Sequence, residues 1–261
     1  MKTVILCGGR GTRIRDVAEN IPKPMIPIGD RPILWHLMKY YSHYGHTDFV
    51  LCLGHLGEVI RDFFLNYDVH TQDITLTLGS QKQLRYNSQN TESRWHVALA
   101  DTGLDSMTGA RVKRIQRFIG QDEHFMLTYG DGLGTIDINR LVAFHKSHGK
   151  ILTVSGVRPP SRFGELRTNA KGIVTAFNEK PQVSQGRISG GFFVCRKDIF
   201  KYLNNKPGLI FEQEPIQQLV RKKQVMVFKH DGFWQPMDTY REYQYLNGLL
   251  EKKKAPWVVW K

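Results

Sequence analysis

The sequence predicts an α/β fold in which a Rossmann-like, mostly parallel mixed sheet is flanked by helices. Short β-branched and apolar runs alternate with helical patterns through the first half of the chain, and the second half is richer in strand-like runs. Because such alternation requires right-handed crossovers, it favours a largely parallel sheet. No internal repeat or low-complexity linker is present. We therefore expect one domain, with a smaller strand-rich lobe in its second half.

The predicted elements follow from local patterns in chain order. Thr3–Cys7 is a strand that runs into glycines, and Ile33–Tyr44 is a helix preceded by Pro32, where a missing N–H costs nothing. Apolar residues at helical spacing predict a helix over Gly57–Asn66. The same criteria predict the remaining strands at Phe49–Leu53, Ile74–Leu78, Val97–Ala100, Phe125–Tyr129, Ile151–Val157, Glu165–Leu166, Ile173–Phe177, Ile188–Cys195 and Val225–His230, and helices at Gly109–Ile119, Ile138–His148, Lys197–Leu203, Glu214–Lys222 and Tyr240–Lys253.

Composition limits the classes of protein. The net charge of +13 suits an anionic partner, either nucleic acid or phosphorylated small molecules, but the basic residues are dispersed and form no stripe interleaved with aromatics. We therefore expect no nucleic-acid partner. No apolar run is long enough for a membrane helix or a signal peptide, so we expect a cytoplasmic protein without a membrane partner. Cys7, Cys52 and Cys195 lie in apolar runs and are expected to be buried thiols.

A glycine loop follows the first predicted strand directly, with the sequence Gly8-Gly9-Arg10-Gly11-Thr12-Arg13. Glycines allow backbone N–H groups to surround phosphates, and arginines add charge and planar donors. The loop is neither a Walker loop nor the dinucleotide-binding pattern. Taken alone, it predicts either a phosphate site or a tight strand–helix turn.

Further blocks extend this signal over nearly the whole chain. Gly8–Arg13 followed by Lys23-Pro24-Met25 resembles the signature of the sugar-nucleotide pyrophosphorylases. The blocks that resemble one branch of them, the glucose-1-phosphate cytidylyltransferases, are Asp101-Thr102-Gly103, Ser106-Met107-Thr108-Gly109 with Arg111, Tyr129-Gly130-Asp131-Gly132, Arg162-Phe163-Gly164, Glu179-Lys180-Pro181, Gly190-Gly191-Phe192-Phe193, Glu212-Gln213-Glu214-Pro215 and Phe233-Trp234-Gln235-Pro236-Met237-Asp238-Thr239.

The resemblance implies a nucleotidyltransferase of the glycosyltransferase-A type. It implies a single domain over residues 1–261, in which residues 1–135 bind nucleotide, and residues 136–261 form the sugar-phosphate part and the C-terminal helix. The implied reaction is attack of a glucose 1-phosphate oxygen on the α-phosphorus of CTP, giving CDP-glucose and pyrophosphate. The implied cofactor is Mg²⁺, and a homo-oligomer is expected.

The resemblance also assigns roles to individual residues. The catalytic residues are Arg13, Lys23 and Asp131, and Asp131 with Asp238 would hold the metal. Asp131 could instead be a turn aspartate, and Asp238 the N-cap of the helix near Tyr240. The nucleotide site would comprise Leu6, Gly8, Gly9, Gly11, Thr12, Arg13, Lys23, Thr108, Gly109, Arg111 and Asp131, and the sugar-phosphate site Glu179, Lys180, Ser189 and Gly190.

The choice of base can be argued physically. Cytosine offers acceptors at O2 and N3, whereas uracil and thymine have a donor at N3, and an arginine supplies donors only. If Arg111 faces that edge, it favours CTP; it could also be one of several basic residues on a solvated helix.

The sequence departs from the family pattern at two positions: Ser189 replaces an asparagine in the sugar site and Ala110 replaces a glycine. The first departure leaves the identity of the sugar open. The alternatives are the same reaction with another triphosphate or sugar, a non-catalytic relative and, because of the net charge of +13, a nucleic-acid-binding protein.

Overall fold

The computed structural model describes residues 1–11, 14, 20–78, 83–88, 91–159, 165–168, 173–178 and 186–260. Its strands are β1 (Thr3–Leu6), β2 (Pro27–Ile28), β3 (Arg31–Pro32), β4 (Asp48–Leu53), β5 (Ile74–Thr77), β6 (Gln83–Tyr86), β7 (His96–Asp101), β8 (His124–Tyr129), β9 (Gly132–Gly134), β10 (Leu152–Val157), β11 (Glu165–Thr168), β12 (Val174–Asn178), β13 (Ile188–Arg196), β14 (Val225–His230) and β15 (Trp234–Pro236). Its helices are α1 (Ile33–His43), α2 (Gly57–Leu65), α3 (Tyr67–Thr71), α4 (Thr108–Arg114), α5 (Gln116–Ile119), α6 (Ile138–His148), α7 (Glu214–Arg221) and α8 (Tyr240–Glu251), with 3₁₀ turns at Lys23–Met25 and Lys197–Tyr202.

Seven strands form the main sheet, in the order β14-β10-β13-β8-β1-β4-β7. The strand β13 is antiparallel to both β8 and β10, whereas the pairs β8–β1, β1–β4, β4–β7 and β10–β14 are parallel. The predicted mostly parallel mixed sheet is therefore confirmed. Strands from both halves of the sequence contribute to it.

The core lies on both faces of this sheet because successive side chains of a strand point to opposite sides. Val4 and Leu6 of β1 pack in one apolar cluster with α4, α5 and α7, while Ile5 between them packs in a second cluster with α1, α6 and the segment that follows α8. Burial on both faces explains why the central strands are continuous apolar runs. The three cysteines are free and buried, as expected.

Two predicted helices differ from the structure. The predicted helix over Gly109–Ile119 is two short helices, because α4 ends at a C-cap on Ile115 and α5 follows it directly. The predicted helix at Lys197–Leu203 is a 3₁₀ turn. The strands β9 and β15 were not predicted, since three residues are too few to show a period.

The carboxyl edge of the sheet brings the two loops of interest together. In the parallel pairing of β1 and β8, Leu6 lies beside Tyr129, so the glycine loop and the Gly130–Gly132 turn start side by side. Ligands of open α/β sheets bind at this edge. Across the described part of the chain, no helix has both the length and the apolar character to span a membrane.

Candidate active site

A cleft of about 340 Å³ opens above the ends of β1 and β8. We call it the nucleotide cleft, because it contains the glycine loop that the sequence predicts to hold phosphates. Its walls are Leu6, Cys7, Gly8, Gly9, Gly11, Lys23, Pro24, Ser106, Met107, Thr108, Arg111, Tyr129, Gly130 and Asp131. Most residues assigned to nucleotide binding from the sequence therefore line one cavity.

Lys23, Asp131 and Asp238 form a charged cluster at the end of this cleft. The Lys23 Nζ atom lies 2.5 Å from an oxygen of Asp131 and 2.5 Å from an oxygen of Asp238. The β9–β15 pairing sets this geometry, since Met237 N donates to Asp131 O at 2.9 Å and brings the two aspartates together across the chain. Residues far apart in sequence thus converge on one point.

The cluster keeps Lys23 charged. Burial acts to lower the pKa of Lys23, but the charge and hydrogen bonds of Asp131, reinforced by Asp238, outweigh it and raise the pKa above its usual value. The Lys23 ammonium is therefore charged at neutral pH.

The two aspartates fit a divalent cation. Their oxygens already converge on a single positive nitrogen. Mg²⁺ commonly takes one or two protein carboxylates and completes its shell with phosphate oxygens and water. Within the described ranges, no group of three or more His, Cys, Asp or Glu side chains is arranged to hold a metal. The pair therefore suits an ion that shares its coordination with a phosphorylated ligand.

Asp238 is not the N-cap of the last helix. The N-cap of α8 is Thr239, whose hydroxyl accepts from Glu242 N, and Glu242 Oε2 accepts in return from Thr239 N at 2.9 Å and from Asp238 N at 2.7 Å. This capping box satisfies the backbone around Asp238. The Asp238 carboxylate is thus turned toward Lys23 instead of toward the helix.

Arg111 is buried in the wall of the nucleotide cleft, with 3% of its surface exposed. Its terminal nitrogens donate to protein oxygens: Leu53 O, Thr102 Oγ1, Gly103 O, Gly8 O and Leu104 O, at 2.8–3.2 Å. A Cβ on Gly8 or on Gly54 would approach Arg111 Nη1 within 2.3 or 2.4 Å, so glycine is required on both sides of the guanidinium. Arg111 therefore ties the glycine loop to β4 and the loop after β7. The idea that its donors select the base stays a prediction.

A second cavity of about 260 Å³ adjoins the first and shares Tyr129 and Asp131 with it. Its other walls are Thr128, Gly132, Ser189, Gly190, Gly191, Phe192, Trp234, Pro236 and Asp238. Trp234 Nε1 donates to Gly190 O at 2.7 Å, and Gly191 N donates to Ser189 Oγ at 3.3 Å. Two residues assigned to the sugar from the sequence, Ser189 and Gly190, therefore lie here.

The structure does not bring every predicted residue to these cavities. Gly109 faces away from the cleft, and its amide donates to Leu209 O at 2.9 Å. A Cβ on Gly109 would lie 2.8 Å from Leu209 Cγ, so the glycine serves this close approach. Thr12, Arg13, Glu179 and Lys180 lie outside the described residues, as does the Arg162–Gly164 block.

Several lining residues received no role from the sequence. Tyr129 lines both cavities, Trp234 lines the second, and Ser106 and Met107 line the first. The available signal was their position in the chain: Tyr129 ends β8, Trp234 begins β15, and Ser106 and Met107 precede α4. The three-residue strand β15, which positions Trp234, is too short to give a periodic pattern.

Comparison with known proteins agrees with the predicted family and fold. The sequence profile of the family described as "Nucleotidyl transferase" matches residues 2–249. The chain is 45% identical over 260 residues to the glucose-1-phosphate cytidylyltransferase of Salmonella typhimurium and 40% identical over 260 residues to a probable glucose-1-phosphate cytidylyltransferase of Bacillus subtilis, each time covering 100% of both chains. Its fold resembles a putative glucose-1-phosphate thymidylyltransferase of Bacillus anthracis, with a TM-score of 0.68, 17% identity, and coverage of 100% of this chain and 97% of that one.

The fold is therefore that of a nucleotidyltransferase of the sugar-nucleotide pyrophosphorylase type. Sequence identity of 40–45% over the full length assigns the family. The structural match, at 17% sequence identity, shows only the fold. The chain belongs to the glucose-1-phosphate cytidylyltransferase family.

Proposed function

We propose that this chain transfers the cytidylyl group of CTP to α-D-glucose 1-phosphate, forming CDP-glucose and pyrophosphate. The observation that carries the proposal is the full-length identity of 45% to a glucose-1-phosphate cytidylyltransferase. The two adjoining cavities, which meet at Asp131, offer separate space for a nucleotide and a sugar phosphate. The chain is accordingly an enzyme of the nucleotidyltransferase class.

The reaction is an in-line displacement at the α-phosphorus of CTP. An oxygen of the sugar 1-phosphate forms the new P–O bond, while the bond to the β-phosphate oxygen breaks and pyrophosphate carries away its electron pair. Because both reactants are anions, positioning and charge neutralisation dominate such transfers. The glycine-loop amides at Gly8, Gly9 and Gly11 would surround the phosphates, and the Lys23 ammonium, at the junction of the cavities, would hold oxygens around the α-phosphorus.

Members of this family generally use a divalent cation, and Mg²⁺ is our specific proposal. Asp131 and Asp238 would hold it, since both already face one cationic nitrogen. When bound, the ion supplies positive charge that reduces repulsion between the two substrates and stabilises charge on the reacting phosphorus. The carboxylates themselves orient Lys23 and keep it protonated.

The remaining roles follow from the resemblance of the sequence to the family. Arg13 would bind the β- and γ-phosphates and assist departure of pyrophosphate, with Thr12 beside it in the glycine loop. Lys180 would bind the sugar phosphate and Glu179 the sugar hydroxyls. Ser189 and Gly190, at the start of β13, would complete the sugar site. Arg111, with Thr108 at the start of α4, would complete the nucleotide site.

Assembly and location are also proposals. We propose one domain, in which residues 1–135 bind nucleotide and residues 136–261 bind the sugar phosphate. We also propose a homo-oligomer in the cytoplasm. Apolar side chains exposed on the β5–β6 hairpin, Leu76, Leu84 and Tyr86 among them, support association. Light scattering after gel filtration tests the mass, and a monomer would contradict it.

A substrate panel tests the function. The purified protein is incubated with Mg²⁺, each of CTP, UTP, dTTP, ATP and GTP, and glucose, galactose or mannose 1-phosphate, and pyrophosphate release is measured. We expect CTP with glucose 1-phosphate to exceed UTP and dTTP by about 100-fold, because a polar site strongly rejects mismatched hydrogen bonding. Equal use of UTP would reject the cytidylyl assignment and leave the reaction class intact.

A further inference from the structure

A short segment, residues 207–212, crosses the start of α4, and we call it the strap. Met107 N donates to Pro207 O at 2.7 Å, and Gly109 N and Ala110 N donate to Leu209 O at 2.9 and 3.2 Å. The first amides of α4 are thus used by the strap, so this helix end offers no anion site at those groups. The strap meets the nucleotide cleft at its last residue, Glu212.

Glu212 ends the strap with an exposed carboxylate at the edge of the nucleotide cleft. One of its oxygens accepts from Tyr129 Oη, and the other accepts from Thr108 Oγ1 at 2.7 Å. Thr108 Oγ1 itself accepts from Phe211 N at 2.9 Å, which fixes its proton toward Glu212. Because an ionised carboxylate has about four acceptor positions and these hydroxyls occupy two, each oxygen can still accept from a ligand.

Tyr129 separates the two cavities of the site. Its ring lies against Gly191, which has φ +77°, and a Cβ there would come 2.5 Å from Tyr129 Cδ2. The ring is also edge-on to Phe193, with centroids 5.9 Å apart. The ring is therefore fixed on the sugar side while its hydroxyl holds Glu212 on the nucleotide side.

The chemistry of a nucleotide determines what Glu212 can meet. Phosphates must lie at the glycine loop and Lys23, where donors and positive charge are found, and a carboxylate repels them. The ribose is bonded to the α-phosphate, so it comes next to the Lys23–Asp131 junction, and Tyr129 is two residues from Asp131. Thr108 and Tyr129 line the cavity there. The ligand groups nearest Glu212 are therefore the ribose hydroxyls, which are donors.

We propose that Glu212 is a specificity-determining residue that accepts hydrogen bonds from the ribose hydroxyls and so selects ribonucleotides over deoxyribonucleotides. Tyr129 and Thr108 orient the carboxylate for this purpose. The inference rests on the proposed function only in taking a nucleoside triphosphate as the ligand of this cleft. It does not depend on which base or which sugar is used.

Direct binding measured by calorimetry, with Mg²⁺ but without a sugar phosphate, tests the proposal. Wild-type protein should bind CTP about tenfold more tightly than 2′-deoxy-CTP or 3′-deoxy-CTP, on the scale of one hydrogen bond to a charged group. Glu212→Gln should weaken CTP binding about tenfold and leave at least one deoxy analogue within about twofold of its wild-type affinity. Glu212→Ala repeats the measurement without an amide oxygen that could still accept.

The matched control is Glu214→Gln, which makes the same change two residues further on, where the carboxylate accepts from Gln218 Nε2 at 3.0 Å on α7. It should retain the wild-type preference for CTP. Equal losses for CTP and both deoxy analogues in the Glu212 variants would reduce Glu212 to a structural brace and overturn the proposal, as would equal wild-type affinities for all three. If UTP binds as well as CTP with the same ribose preference, the cytidylyl assignment fails and this inference stands.

Discussion

The Lys23 ammonium lies where two carboxylates, Asp131 and Asp238, converge. Removing either carboxylate leaves Lys23 with one carboxylate partner in place of two, and leaves a single metal ligand. We expect Asp131→Asn and Asp238→Asn each to lower turnover by at least about 100-fold, on the scale of a lost electrostatic stabiliser. Pyrophosphate release at saturating Mg²⁺ measures turnover. A Mn²⁺ titration followed by electron paramagnetic resonance measures the affinity for the metal.

Asp30→Asn is the control for this charge change, because the side chain of Asp30 is 85% exposed and lies outside the cleft. It should keep wild-type turnover and Mn²⁺ affinity. Near-normal turnover in a folded Asp131 or Asp238 variant would remove that residue from the metal site.

Ser189 is where the sequence departs from the family in the sugar cavity. Its hydroxyl oxygen accepts from Gly191 N at 3.3 Å and leaves one O–H to donate. An asparagine can accept from the same amide and reach further with its NH₂ group. We expect Ser189→Asn to raise the preference for glucose 1-phosphate over its galactose and mannose epimers by about tenfold in kcat/KM, comparable to small changes in other binding pockets.

Steady-state kinetics with the three sugar phosphates test this. A tighter preference in the variant would support a water that bridges Ser189 to the sugar in the wild-type protein. An unchanged preference would contradict the prediction. If the wild-type protein uses a different sugar phosphate in place of glucose 1-phosphate, the assigned substrate is wrong and Ser189 is the first residue to examine.

Helix α8 contributes to the site through its first turn. Glu242 accepts from the amides of Asp238 and Thr239, whereas Thr239 accepts from Glu242 N. Both Glu242→Ala and Thr239→Ala remove part of the capping box and should each cost about 1 kcal/mol of unfolding free energy. Only Glu242→Ala releases the backbone of Asp238, so it alone should lower turnover, by about tenfold, through misplacement of a reacting group.

Urea denaturation and single-turnover assays on the two variants separate the effects. The Thr239 variant is the matched control, because it weakens the same helix end without freeing Asp238 N. Equal turnover in the two variants would show that the cap acts on helix stability alone.

The free energy of unfolding of the whole chain should fall in mild acid because of buried neutral histidines. His145 of α6 is 1% exposed, and its Nδ1 lies 2.8 Å from Thr153 Oγ1 of β10. Burial, aided by the neighbouring His124 and His148, lowers the pKa of His145 to about 3. An unfolded histidine has a pKa near 6.5, so below that pH the unfolded state binds a proton that the folded state does not.

Stability therefore rises with pH through this window, and His145 alone should cost about 2 kcal/mol between pH 7 and pH 5. Urea denaturation at several pH values measures it. His145→Gln removes the titrating group and should reduce the loss between pH 7 and pH 5, while His96→Gln controls for removal of an exposed histidine. An identical slope in the His145 variant would mean that this ring is solvated and protonates in the folded state.

Local patterns in the sequence identified most of the main sheet. The strands β1, β4, β8, β10 and β13 are apolar runs because they are buried on both faces, and burial of this kind leaves a continuous hydrophobic signal. The glycine loop was also visible, since a strand that ends in glycines is a local feature. The family blocks then placed Lys23, Asp131 and Asp238 in one reaction, but gave no distance between them.

Only the tertiary structure decided which side chains share a cavity. The aspartates meet at Lys23 because two three-residue strands, β9 and β15, pair across about 100 residues of chain, as the Gly132–Pro236 pairing shows. Arg111 donates to five protein oxygens on the glycine loop, the end of β4 and the loop after β7. Glu212 contacts Thr108 and Tyr129, although nothing local in the sequence relates these residues. Such contacts depend on how distant segments of the chain come together in the folded protein. Residue patterns in the sequence reflect only burial and local conformation.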